Sequence, residues 1–258
     1  MRYFVFIILF FVCQLATAQK TLAIKDAVGK AYMSDDKTAN QTKEKAIEEA
    51  KKDALKKAGV AEYIGSSNVL LTTESNKKIY QVFNSIASVE LSGAITNIQN
   101  IRLQKKHDES AQQDYYEALI DADVIKYEKK SDPSFVFDIK GIRESYKANE
   151  ALTFETIAYA NGYLRIFLLS DSQCIQLFPN QYEKANSIKE SEHLHFPINK
   201  GIAYSLDLKE EIESDNLIFV FTNIPFTGKE NMNDILHWIY SISPDERRVR
   251  NFSFVVSE

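Results

Sequence analysis

Two histidines, His193 and His195, stand two apart in the segment HLHFP. In an extended chain that spacing puts both imidazoles on one face, about 7 Å apart, and a carboxylate beside them would complete a zinc site. The same alternation sends Leu194 and Phe196 to the opposite, core-facing side, so the two histidines read as a solvated face; Glu192 falls with the core-facing set and is poorly placed as a third ligand. Asp121 and Asp123 have the spacing of paired carboxylates, but they alternate with Ala118, Ile120, Ala122 and Val124, which makes them the exposed side of a half-buried strand. Cys174 opens the apolar run CIQLF with no histidine near it in sequence, the setting of a buried thiol and not of a nucleophile.

Three arginines, Arg247, Arg248 and Arg250, form the densest basic cluster near the end of the chain and read as solvated, with docking to an acidic partner as the alternative. The polar loop NQYEKANSIKESE offers Asn180 and Tyr182 as contact residues, because binding groups concentrate on loops held by a rigid scaffold. Trp238 lies on a short amphipathic stretch and is expected in the core. Neither a G-x-S-x-G nor a G-x-G-x-x-G occurs, and GVAEYIGSS lacks the phosphate-loop lysine. No catalytic residue, resident metal or cofactor is therefore assigned.

The first eighteen residues decide where such side chains would work. MRYFVFIILFFVCQLATA has a positive charge at Arg2, an apolar run from Tyr3 to Val12 and small residues at Ala16 and Ala18, the pattern of a cleavable secretory signal. The run is shorter than the ~20 apolar residues that span a bilayer. Bulky Phe11 and Val12 before Cys13 argue against a lipidated terminus. Cleavage after Ala18 removes Arg2 and takes the formal charge from −5 to −6, and it leaves Cys174 as the one cysteine, so the exported chain must fold by packing alone. A mild acidic excess with no basic stripe gives little support to nucleic-acid binding.

Two periodicities divide the mature chain. In TANQTKEKAIEEAKKDALKKAG, Ala46, Ile47, Ala50, Ala54, Leu55 and Ala58 recur at helical spacing and Gly59 supplies the stop. Ile79, Val82, Phe83 and Ile86 predict a second, short helix, and LAIKDAVGKAYM, SGAITNIQNIRLQ and DYYEALIDADVIKY predict strands. KYEKKSDPSF then breaks the pattern. Beyond it period-two runs dominate, with Asn161-Gly162 as a hairpin signal, a second turn at 170–173, and Leu164, Ile166 and Leu168 lining one face of the strand between them. The expected fold class is α+β: a signal at 1–18, a helix-on-antiparallel-sheet domain at 19–127, and a mainly β, sandwich-like domain with one late helix at 134–258.

The alanine-spaced helix KAIEEAKKDALKKAGV, followed by IASVELSGAITNIQNIR and DYYEALIDADVI, resembles the N-terminal domain of the flagellar assembly protein T family and the related small outer-membrane lipoprotein domain, over residues 25 to 127. The segments GYLRIF, IQLFPN and HLHFP with a late helix, between Gly162 and Val256, resemble a bacterial envelope domain-of-unknown-function family. Both resemblances imply exported, envelope-associated proteins that act through contacts, with no active site to carry over. The expectation is a non-enzymatic periplasmic or outer-membrane-associated component with an envelope protein partner. The alternatives are a module contacting peptidoglycan or another glycan and, third, a zinc-dependent hydrolase built on His193 and His195.

Overall fold

The computed structural model describes residues 21–60, 92–170, 174–208, 211–228 and 232–258. The leader and the helix expected at 79–86 lie outside them. Strand β1 (Thr21–Tyr32), helix α1 (Ala39–Lys57), strand β2 (Gly93–Asp108) and strand β3 (Gln113–Lys126) build the first unit, an antiparallel sheet in the order β1-β3-β2 with α1 on one face. Helix α1 starts on a capping box in which the Thr38 side chain accepts from Gln41 N and the Gln41 side chain accepts from Thr38 N. It ends where Gly59, at φ 73°, lets Gly59 N and Val60 N turn back to the carbonyls of Lys56 and Leu55. Ala46, Ala50 and Ala54 are fully buried against the sheet. So small a stripe lets helix and strand approach closely, and the strand answers with Gly29, where a Cβ would lie 2.1 Å from Ala46 O and Ala50 N.

The rest of the chain adds β4 (Phe137–Lys140), β5 (Ser145–Lys147), β6 (Ala151–Leu152), β7 (Phe154–Ala158), β8 (Gly162–Leu169), β9 (Cys174–Phe178), β10 (Ser187–Ile188), β11 (His193–Phe196), β12 (Tyr204–Ser205), β13 (Ile212–Thr222), α2 (Met232–Ser241) and β14 (Arg247–Ser257). The main sheet runs β10-β8-β13-β14-β5, with β9 also on β8. It faces a thinner layer, β11-β7-β4 and β12-β6, across an aromatic core in which Phe219 meets the rings of Phe154 and Phe252 edge to face at 5.3 and 5.8 Å. This is the expected α+β class.

Two expectations change. Asn161-Gly162 does not close a hairpin: β7 belongs to the thin layer and β8 to the main sheet, so the turn carries the chain between layers. Leu164, Ile166 and Leu168 do share one core, but Phe167 and Leu169 are buried too, in a second core with Ile218, Val220 and Val249 beneath α2. That second core also takes in Ala94, Ile125 and Tyr127, so the stretch KYEKKSDPSF, which breaks the pattern, carries at its second position a residue only 6% exposed. Charge and Pro133 mark the change of pattern along the chain, while the Tyr127 ring is large enough to be worth burying.

Candidate functional site

The chemistry-bearing side chains separate into those that hold the fold and those that line a groove. Arg247 is of the first kind. Predicted on the surface, it is 5% exposed, donates to the Ile239 carbonyl, and stacks its guanidinium 4.8 Å from the Tyr127 ring and 5.7 Å from that of Tyr240. Tyr127 in turn donates its hydroxyl to Tyr240 O at 2.8 Å. Arg248, on the other side of β14, donates to Phe135 O at 3.2 Å and Asp132 O at 2.6 Å, clamping the segment before β4. Arg250 is exposed. Neighbouring Arg247 and Arg248 cannot share one face of a strand, so the pleat sets Arg247 apart from Arg248 and Arg250 and divides the basic cluster of the sequence. Trp238 packs edge to face on Phe226, ring centroids 5.2 Å apart, as a partly buried core residue.

Asp121 was also expected in solvent and is drawn in. Strands β1 and β2 each bulge opposite it, at Asp26 (φ 49°) and Asn100 (φ 52°). Its carboxylate accepts from Asn100 Nδ2 at 2.9 Å, Asp26 N at 3.0 Å and Lys25 Nζ at 3.1 Å. Those three donors, the Asn100 amide first, hold its pKa at about 2. A carboxyl depressed in the fold stabilises above the unfolded-chain value of about 4 and loses that contribution as pH falls toward the folded value. Wild type is therefore expected to lose melting temperature relative to Asp121→Asn between about pH 4 and pH 2, measured as the difference between their Tm profiles. A constant difference across that window would remove the linkage. Asp123 remains half-exposed and accepts from Asn97 Nδ2 at 3.0 Å.

Cys174 packs against the core beneath α2, and burial pushes its thiol up to about 12. At neutral pH it is a protonated side chain and no nucleophile. Among the described residues no three His, Cys, Asp or Glu side chains come together as a metal site.

The groove lies at the thin layer. Residues 151–158 pair with β11 through Phe154↔Phe196 and with β12 through Leu152↔Tyr204, and between those two registers the partner chain leaves the ladder as the loop 197–203. Beside the loop a cavity of about 390 Å³ is lined by Thr153, Glu155, His195, Pro197, Lys200 and Ile202 among others. His195 Nδ1 stands 3.1 Å from Glu155 Oε1, both side chains about half exposed. His193 is exposed on the same face, two residues along the strand, as the alternation required; Glu192, expected core-facing, is half-buried and uses its carboxylate to accept from Lys189 N at 2.7 Å.

The loop is held from behind by Glu183. Two Phe–cis-Pro units, Phe178-Pro179 and Phe196-Pro197, bring their phenyl rings edge to face at 5.0 Å. After the first unit Asn180 folds a tight turn, its Oδ1 accepting from Tyr182 N at 2.8 Å and Glu183 N at 3.0 Å. That turn buries Glu183, whose carboxylate accepts from Asn180 Nδ2 at 2.8 Å, Asn199 N at 3.0 Å and the Tyr204 hydroxyl. Burial, and Glu183 after it, push the Tyr204 phenol above its ordinary pKa. Asn180, predicted as a contact residue, is thus a scaffold residue, while Tyr182 beside it is 61% exposed.

Sequence reasoning missed Glu183, Glu155 and Lys200. Nothing in their local pattern separates them from surface charges; only the N-x-x-E spacing of a self-bonded turn hinted at Glu183. The groove presents both signs of charge beside an apolar wall, which suits hydrogen bonding to a polar ligand or to a partner's surface. No curated protein and no solved structure matches the chain. Residues 145–225, the stretch that supplies the groove, Glu183 and the centre of the main sheet, match the family model described as "Domain of unknown function (DUF4384)", which bears out the expected likeness of the second half to a domain of unknown function over that stretch, short of the late helix and the closing strand.

Proposed function

We propose that this chain is an exported bacterial envelope protein, periplasmic or associated with the outer membrane, that acts as an assembly or protein-interaction component and not as an enzyme. The observation that carries the reading is how its chemically able side chains are engaged. Glu183 is committed to holding a loop and Arg247 to tying Tyr127 to α2 within one core, Cys174 is kept as a thiol, and the groove left open offers a mixed-charge contact surface. The secretory pattern of residues 1–18 and the resemblance of residues 25–127 to the flagellar assembly protein T family support the compartment and the mode of action. No described helix is long and apolar enough to cross a membrane.

Crosslinking of the mature protein in intact envelopes, followed by identification of what is attached, is expected to recover a discrete set of envelope proteins. Monomer alone under several crosslinkers would sink the reading. Exposed Tyr182 and Tyr159 favour one second reading, a glycan or peptidoglycan contact through stacked aromatics, which co-sedimentation with purified peptidoglycan would reveal.

A further inference from the structure

We infer that the outer edge of β1, together with the N-terminal half of α1, forms a groove that takes an extended acidic segment of a partner protein as an added strand. β1 is an edge strand, and among the described residues no strand pairs with its outer side. Its register with β3 and the bond from Val28 N to Asp53 Oδ2, at 2.8 Å, show which backbone groups point outward: those of Val28, Lys30 and Tyr32, every second residue.

Helix α1 lays one stripe along this edge, Thr42, Lys45, Glu49, Asp53 and Lys57, each three or four residues from the last. The stripe treats the two halves of the edge differently. Over the first half it closes the edge, with Asp53 accepting from Val28 N and Lys57 Nζ donating to Asp26 O at 2.9 Å, next to the bulge at Asp26. Bulges and charged caps are how proteins guard an exposed edge against unwanted pairing. Over the second half the guard stops. Lys30, Ala31 and Tyr32 face a cavity of about 370 Å³ whose far wall is Thr42, Lys45 and Glu49.

A strand edge opposite a helix, with room between them, is the geometry of peptide recognition by strand addition, in which main-chain bonds supply affinity and flanking side chains supply selectivity. Here the flanking charges are Lys30, Lys37 and Lys45 against the carboxylate of Glu49. Glu49 is shared by Lys45 at 3.1 Å and Lys52 at 2.6 Å, and Glu117, 3.9 Å from Lys30, is shared with Lys106. Even with Asp108 on the Tyr32 hydroxyl, the lysines outnumber the carboxylates they meet, so the excess field at the groove is positive and selects an acidic strand. The inference deepens the contact-based reading above by naming a site and a partner chemistry, and its failure would leave envelope crosslinking as an independent test of that reading.

The test uses the full mature chain, isotope-labelled, and an acetylated, amidated peptide of about eight residues alternating glutamate and valine. Titration is expected to shift the Lys30 and Tyr32 amide resonances and slow their hydrogen exchange. The Lys37→Glu, Lys45→Glu double variant, checked for an unchanged melting temperature, is expected to weaken binding about tenfold or more, and high salt to do the same. A lysine–valine peptide binding as well as the acidic one would overturn the assignment of chemistry. A peptide with alternate prolines binding equally would overturn strand addition. Lys30 and Tyr32 amides already protected in the free protein, whether monomer or concentration-dependent dimer, would show the edge occupied by this chain and overturn the proposal.

Discussion

A Gly29→Ala variant is expected to lose about 3 kcal/mol of stability, a fall of about 10 °C in Tm. Alanine is ordinarily a mild replacement in a strand, and it would relieve the entropic cost of glycine. At this site the added carbon would sit 2.1 Å from a helix carbonyl oxygen and a helix nitrogen, both main-chain atoms of α1 that no rotamer change can move. Either the helix lifts off, exposing Ala46, Ala50 and Ala54, or the strand bends and its register with β3 fails. Thermal and urea unfolding followed by circular dichroism reads the loss. A Tm within a degree or two of wild type would mean that α1 is not held against β1 as closely as described.

Glu183→Ala carries the second large effect, of the order of 3 kcal/mol, because it strands several donors at once. The amide of Asn180, the backbone N–H of Asn199 and the hydroxyl of Tyr204 all donate to this one carboxylate. Leaving buried donors without an acceptor costs more than the bonds contributed, about 1–3 kcal/mol per group before any rescue by water. Glu183→Gln keeps one acceptor oxygen and is expected to cost about half as much. The loss should be local as well as global. Hydrogen exchange at Asn199 and its neighbours in the loop 197–203 should accelerate well before the amides of β8 and β13 respond. Unchanged exchange in that loop, with wild-type stability, would show that Glu183 does not hold the groove's wall.

Much of this fold was legible before any coordinate. The α1 stripe follows from alanines at helical spacing, and its C-terminus from Gly59. The solvated histidines follow from the alternation of HLHFP, since a strand pleat has a period of two wherever it sits. Local rules reach this far because they need only the residues within a turn or a pleat.

What the sequence determined by itself is therefore the menu of elements, the α+β class and the facing of half-buried strands such as β11. The tertiary structure decided which of those strands are neighbours, and with that the fate of every charged side chain in question. Asn161-Gly162 has the chemistry of a hairpin, yet β8 pairs with β13, where Leu164 and Ile166 lie opposite Phe221 and Phe219, while β7 pairs with β4 and β11. Arg247 and Arg248 are identical in composition and adjacent in sequence; the pleat and the presence of Tyr127 and Tyr240 on one side bury the first and leave the second to clamp a loop. Asp121 and Glu183 are buried because donors from segments 16 to 95 residues distant converge on them. No window along the chain contains both halves of such a contact. Burial of charge is a property of the partners brought to it, and only the folded chain brings them.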